Sequence, residues 1–208
     1  MQVSGSTPEF LVRAALQAIG RGQAQLGEAL EELPAPIYVT DRDGVVTHYN
    51  RACISLAGRT PVPLEDRWCV TWKLYQTSGE FLPHDLCPMA IAVREGRAVR
   101  GVEAITERPD GTRVNFVPYP TPFFDDSGAL AGAVNLLLDV TDRRKVERLC
   151  NQLARCRRLA RSIFDAATVE TLTLMAEEYE LEIGRLERPN RDAGPLVERS
   201  ACRPNPLH

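Results

Sequence analysis

The sequence predicts an α+β fold: a five-stranded antiparallel sheet with a flanking N-terminal helix and a C-terminal antiparallel helical hairpin. Three observations predict it. Four turn signals, Asp43-Gly44, Ser78-Gly79, Asp110-Gly111 and Ser127-Gly128, punctuate β-rich runs through the middle of the chain. Apolar residues before residue 34 and after residue 145 recur at steps of three and four, the spacing of a helix face. The last β-rich run passes through Asp139-Val140-Thr141-Asp142-Arg143 straight into a long charged helical segment.

Bulk properties exclude several classes. The chain has 208 residues, 44% of them apolar and 25% charged, which suits one domain with helical extensions. A net charge of −3 gives no electrostatic case for nucleic acid or a membrane surface. All basic residues except Lys73 and Lys145 are arginine, which a GC-rich genome explains as readily as function. The N-terminus lacks the basic and apolar regions of a secretory leader. The most apolar stretch, Ala129 to Leu138, is about half of a membrane span. A cytoplasmic location is expected. The six cysteines are irregularly spaced, with no C-x-x-C pair, so packed free thiols are expected instead of a disulfide framework.

Residues 8–33 read as one amphipathic helix, with Val12, Leu16, Ile19, Leu26, Leu30 and Leu33 on its apolar face. Thr7 suits its cap and Pro8 its first turn. Gly20, Gly22 and Gly27 each weaken it by about 1 kcal/mol, so it needs a packing partner. Two β-rich runs around Asp43-Gly44 predict a hairpin over 37–49. Asn50 is placed to cap a short helix over 51–57, and Gly58 to end it.

A second hairpin is expected over Trp68–Tyr75 and Glu80–Leu82. Asp85 is expected to cap a helix from Leu86 to Glu95. Three strands follow at Val102–Arg108, Arg113–Tyr119 and Ala129–Val140. Pro118, Pro120 and Pro122 mark the second of these as an edge or a bulge.

After Thr141 the period changes. Val146, Leu149, Leu153, Cys156, Ala160 and Ile163 form one heptad seam; Val169, Leu172, Ala176, Tyr179, Ile183 and Leu186 form another. The first segment is basic and the second acidic, so an antiparallel pair is expected. Residues 188–208, proline-rich and aperiodic, read as a disordered tail.

The quoted order of elements resembles the PAS domain family. The resemblance rests on Ile37-Tyr-Val-Thr-Asp-Arg-Asp-Gly44, Asn50-Arg-Ala-Cys53, Glu107-Arg-Pro-Asp-Gly-Thr-Arg113, Gly132-Ala-Val-Asn135 and Asp139-Val-Thr-Asp-Arg143. It implies strand order 2-1-5-4-3, with helices on one face cradling a pocket. It further implies that Asp139 and Thr141 couple the sheet to the outgoing helix, as signal-coupling residues. Trp68–Pro88 is an insertion relative to the shortest members. The resulting division is an N-terminal amphipathic helix at 1–33, the PAS domain at 34–141, the helical hairpin at 142–187 and the tail at 188–208.

Tyr49, Trp68, Trp72, Asn115 and Asn135 are candidates to line a ligand pocket; alternatively the aromatics are core and the asparagines edge residues. Cys87, near a helix N-terminus, is the candidate redox residue, since the positive dipole end favours thiolate. His84, Asp85 and Cys87, with Cys69 or His48, give only one close ligand pair, and a closed zinc site wants two, so no metal is expected. Haem-binding members of the family place a histidine inside the helix that His84 precedes. The flavin-adduct element of light-sensing members is missing at Asn50-Arg-Ala-Cys53. No cofactor is assigned.

No kinase, phosphate-loop, GGDEF-type or serine-nucleophile motif is present, so no catalytic residue is named and no enzyme activity is expected. The expected protein is a stand-alone bacterial sensory and signal-transduction module, a homodimer, coupling a ligand, redox or partner input to its flanking helices. Two alternatives stand beside it. One is a cofactor-free adaptor for a histidine kinase or transcriptional regulator; the other is a haem or flavin redox sensor. A small-molecule ligand is compatible with the first reading, and nucleic acid is not expected as a partner.

Overall fold

The computed structural model describes residues 7–20 and 22–188. The expected tail therefore falls almost wholly outside the described residues. The chain divides into two compact units between Val140 and Thr141.

The first unit opens with α1 (Pro8–Gly20) and α2 (Gln23–Glu31). One helix was expected here, but Gly22 takes φ +107°, a conformation that ends helical geometry and that glycine tolerates. Leu11, Val12, Ala15 and Ala18 of α1 are buried, and the helix packs on the last strand of the sheet.

Next come β1 (Ile37–Asp41), β2 (Val46–Tyr49) and α3 (Arg51–Ala57). The Asp41 carboxylate accepts from the Asp43 and Val45 amides at 2.9 Å, closing the β1–β2 turn. Asn50 does not cap α3 with its side chain. Its Oδ1 accepts from Ile37 N at 3.1 Å, and its Nδ2 donates to the carbonyls of Leu30 (3.1 Å), Leu33 (3.3 Å) and Ala35 (2.8 Å). The buried amide thus ties the end of α2 to the start of β1. The Glu31 carboxylate takes the Arg51 amide instead, at 2.9 and 3.1 Å.

The remaining elements are β3 (Lys73–Tyr75), β4 (Phe81–Leu82), a 3-10 turn (His84–Leu86), α4 (Pro88–Glu95), β5 (Ala104–Glu107), β6 (Arg113–Pro118), β7 (Thr121–Phe124) and β8 (Leu130–Asp139). The helix expected from Leu86 starts at Pro88, with Cys87 rather than Asp85 at its cap position. Proline cannot donate, and the first turn has no use for its amide.

All pairings are antiparallel, in the order β2-β1-β8-β6-β5-β3-β4, with β7 also on β8. Among the described residues there are thus eight strands instead of five. The expected second hairpin, which the count of five left out, forms as β3–β4 and extends the sheet beyond β5. The fourth expected strand, Arg113–Tyr119, forms as β6, and an unexpected strand, β7, follows it after the break at Pro118 and Pro120, which lack ladder donors. β6 is interior, between β8 and β5, contrary to an edge reading; β7 has β8 as its strand partner.

Register sorts the faces. Tyr38, Ala104, Val114, Phe116, Ala133 and Leu137 pack with Cys53 and Leu56 of α3 and with Met89, Ala90 and Val93 of α4. This is the inner face. Gly132 faces Asp41 across the β1–β8 pair and Phe123 across the β7–β8 pair. A Cβ there would stand 2.1 Å from the Thr40 carbonyl oxygen and 2.8 Å from the Phe123 ring.

The second unit is a helical hairpin, α5 (Thr141–Ser162) and α6 (Ala166–Leu186). Val146, Leu153 and Cys156 pack with Ala176 and Ile183, flanked by Leu149, Leu172, Tyr179 and Leu186. Lys145 pairs with Glu182 at 2.6 Å, and Arg157 with Glu180. Asp165 caps α6 by accepting from the Thr168 amide at 2.9 Å. Cys53, Cys69, Cys87 and Cys156 are free thiols.

Gly132→Ala is expected to destabilise the first unit by about 2–4 kcal/mol, because its closest obstacle is backbone and must move. Urea unfolding followed by tryptophan fluorescence measures it.

Candidate functional site

The inner face carries a polar line through an otherwise apolar core. Tyr38 is wholly buried; its hydroxyl donates to the Trp68 carbonyl at 2.9 Å and accepts from Asn135 Nδ2 at 3.0 Å. Asn135 Oδ1 accepts from the Tyr119 amide at 3.0 Å. One phenol and one amide therefore join β1, β8, the β6–β7 break and the loop before β3. Tyr38 and Asn135 are direct partners in the β1–β8 register, which is why their side chains meet.

Trp68 closes one end of this line. Its φ is +67°, a strained value for a bulky residue, costing about 1–3 kcal/mol. The backbone is held there by its amide, which donates to the Gly44 carbonyl at 2.7 Å. The indole lies against Gly44, where any Cβ would be 2.1 Å from the ring. Gly44 itself has φ +80°, so glycine is required twice over. The guanidinium carbons of Arg67 and Arg94 stand 5.0 and 5.3 Å from the ring centroid.

Three thiols surround the line. Cys53 Sγ donates to the Ile37 carbonyl at 3.3 Å, and Cys69 Sγ lies 3.1 Å from Thr71 Oγ1. Cys87 Sγ lies 4.0 Å from the Trp68 carbonyl oxygen. Burial pushes the Cys87 thiol up to about 12, with the neighbouring Cys69 adding to the shift. Burial also raises Cys53 and Cys69. The Tyr38 phenol is raised well above its ordinary value by burial first and then by Cys69 and Cys87. This overturns the premise for Cys87 as a redox residue: the group is buried and held protonated, and desolvation outweighs the helix dipole.

Two further hydroxyls have no partner. Thr40 Oγ1 and Thr106 Oγ1 are buried and unbonded. Thr40 is opposite Ala133, and Thr106 is opposite Leu74 and Val114, so both belong to the inner face. A buried unmet hydroxyl costs about 1–3 kcal/mol.

The five expected pocket residues do not line one space. Asn135 is in the core, and Tyr49 and Trp68 are half-buried against it. Trp72 is 52% exposed. Asn115 pairs with Ile105, and its carbonyl accepts from Val140 N at 2.8 Å, which puts its side chain on the outer face. A groove of about 390 Å3, lined by Leu82, Leu86, Pro88, Ile91 and Val102, opens beside the β3–β4 hairpin, and none of the five reaches it.

His84 is half-buried and lowered by that burial and by Arg59. Among the described residues no three His, Cys, Asp or Glu side chains gather as a metal site. Sequence reasoning missed Tyr38, Thr40 and Thr106. The alternation Tyr38-Val39-Thr40 placed the first and third on one face and was the available signal.

Asp139 ends β8 and Thr141 begins α5, with only Val140 between them. Val140 is buried, and its amide is anchored on Asn115. The strand that carries Asn135 therefore runs directly into the hairpin.

A family model described as the PAS fold matches residues 30–145, more than half of the chain. The chain belongs to the PAS family. That family's fold is one of sensory and signalling modules. Similar solved structures include an RNA-binding Light-Oxygen-Voltage receptor, 24% identical, TM-score 0.46, covering 74% of this chain and 40% of the receptor. The PAS domain of BvgS from Bordetella pertussis is 20% identical, TM-score 0.41, with 64% of this chain and 96% of that one covered. The Rhodobacter sphaeroides LOV protein is 11% identical, TM-score 0.40, with 86% and 99% covered. The chain thus spans less than half of the first receptor's length. No curated protein matches it. No helix among the described residues is long and apolar enough to cross a membrane.

In the native protein at pH 8, Cys53, Cys69 and Cys87 are expected to react with a thiol reagent no faster than global unfolding exposes them. Stability should be flat below the unfolded thiol value of about 8.5 and fall from there as pH rises towards the folded value of Cys87, about 12. The sign follows because the unfolded thiols ionise first. Each such thiol contributes about 1.4 kcal/mol per pH unit in that window. Urea midpoints between pH 7 and 11 measure it; an unchanged midpoint would refute the assignment.

Proposed function

We propose that the chain is a non-catalytic sensory module in which the inner face of the sheet receives the input and α5 carries it away. The observation that carries this reading is the bonded line from the Trp68 carbonyl through Tyr38 and Asn135 to the Tyr119 amide. It passes through Asn135 on β8, the strand continuous with α5. An input that rearranges the amide of Asn135 changes a buried bond, and 1–3 kcal/mol of bias is enough to shift a two-state arrangement. Asp139 and Thr141 are the proposed coupling residues, on either side of anchored Val140.

The unmet hydroxyls of Thr40 and Thr106 support a small polar ligand as the input, since such a molecule would satisfy them. A second reading has its own observation: Tyr38 and its neighbours fill the inner face, which favours a ligand-free adaptor docking a histidine kinase or regulator. Native mass spectrometry of freshly isolated protein separates the two, a retained small molecule supporting the first. A cytoplasmic, bacterial setting is part of the proposal.

Tyr38→Phe keeps the ring and removes the hydroxyl. It should cost about 1–3 kcal/mol and speed amide exchange in β8 and in the first turns of α5. Adding Asp139→Ala and Thr141→Ala should abolish the effect on α5 and leave that on β8. If α5 exchange is the same in Tyr38→Phe as in the parent chain, the coupling route is wrong.

A further inference from the structure

Trp68 gathers positive charge on its ring. Arg67 comes from the loop before β3 and Arg94 from the last turn of α4, and both guanidiniums stand over the one indole. Each is held in place by a backbone carbonyl. Arg67 Nε donates to the Asp43 carbonyl at 2.8 Å, and Arg94 donates to the Asp85 carbonyl at 2.6 Å. Both side chains are exposed. One N–H of each five-donor fork is thus used, and the rest meet no acceptor among the described residues. The indole N–H of Trp68 likewise meets none there, and it is a further donor on the same ring.

No carboxylate balances these two cations. The acids beside them in sequence are committed elsewhere, Asp66 to Arg59 at 2.7 Å and Glu95 to Arg97 at 2.6 Å. Neither Arg67 nor Arg94 has an ion-pair partner among the described residues. A third stacked arginine shows the contrast: Arg113 stands 4.4 Å from the Tyr75 ring centroid, and its charge is met by Glu107 at 2.9 Å. Two like charges on one ring repel each other. The chain also holds Trp68 at φ +67° to keep the ring there, and strain of that kind collects where a ligand is clamped. An anion seated against the ring would remove the repulsion and use donors that are already ordered.

We infer that Arg67, Trp68 and Arg94 form a binding site for a small, doubly charged oxyanion, a phosphate or a dicarboxylate. The site lies where the β1–β2 turn, the 3-10 turn and α4 come together around the indole. It is separate from the bare hydroxyls of the inner face. Two cations call for two negative charges, and a planar guanidinium fork takes a pair of oxygens at once. Chloride offers neither. The Trp68 carbonyl accepts the Tyr38 hydroxyl, so an anion held here touches the residue at which the buried line begins. Binding itself does not depend on that line carrying a signal.

The test is titration of the full chain with sodium phosphate and, separately, with sodium succinate, at constant ionic strength set by sodium chloride. Trp72→Phe leaves Trp68 as the sole indole, so its fluorescence reports on the site. Isothermal calorimetry on the parent chain is the second readout. At least one of the two anions is expected to bind saturably, one per chain, more tightly than about 1 mM. Which of them binds identifies the chemistry the site takes. Arg67→Gln and Arg94→Gln should each weaken that binding at least about tenfold. Arg113→Gln removes a stacked arginine that already has its carboxylate, and it should leave the binding unchanged. Failure of both anions to bind saturably overturns the inference. So does binding that neither Arg67→Gln nor Arg94→Gln weakens, or that Arg113→Gln weakens equally.

Discussion

β8 is the constraint on which the sheet unit rests. Its ten residues are hydrogen-bonded along both edges: to β1 over 132–136, to β7 over 130–134 and to β6 over 137–139. A strand held on both sides cannot shift register without turning its buried residues outward. Asn135 and Gly132 show how little freedom remains. The first is fixed by Tyr38 and Tyr119, and the second by backbone too close for any side chain. α5 begins two residues after β8 ends, and the Val140 amide between them is bonded to the Asn115 carbonyl.

The core around β8 tolerates polar groups because nearly all are matched. Asn50 spends both amide hydrogens and its oxygen on backbone groups that α2 and β1 would otherwise leave unpaired. Tyr38 and Asn135 satisfy one another. The thiols are kept neutral by the same desolvation that makes them poor nucleophiles. Against this background the bare hydroxyls of Thr40 and Thr106 are exceptions.

The hairpin follows a different logic. Its stability comes from an apolar seam of moderate residues, with ion pairs at the rim adding little individually.

Much of this was legible beforehand because it is local. Asp43-Gly44 marks a turn wherever it occurs, and steps of three and four along 146–163 and 169–186 define helix faces without reference to the rest of the chain. The break after Gly20 was not legible, since the apolar steps continue across it and only the backbone of Gly22 reveals the change. Asn115 and Asn135 are the same residue type in neighbouring strands, yet they fall on opposite faces. Strand register decides that, and register depends on partners on other strands, Ile105 for Asn115 and Tyr38 for Asn135. Cys87 was misread for the same reason: the helix dipole is a local property, whereas burial under Trp68 and β1 is not. By itself, then, the sequence determined the family and most of the strands and helices, through periodicity and turn chemistry, but not the break between α1 and α2 or the strand β7. The tertiary structure alone decided which side chains meet, because hydrogen bonds and desolvation act between residues that the chain brings together only on folding.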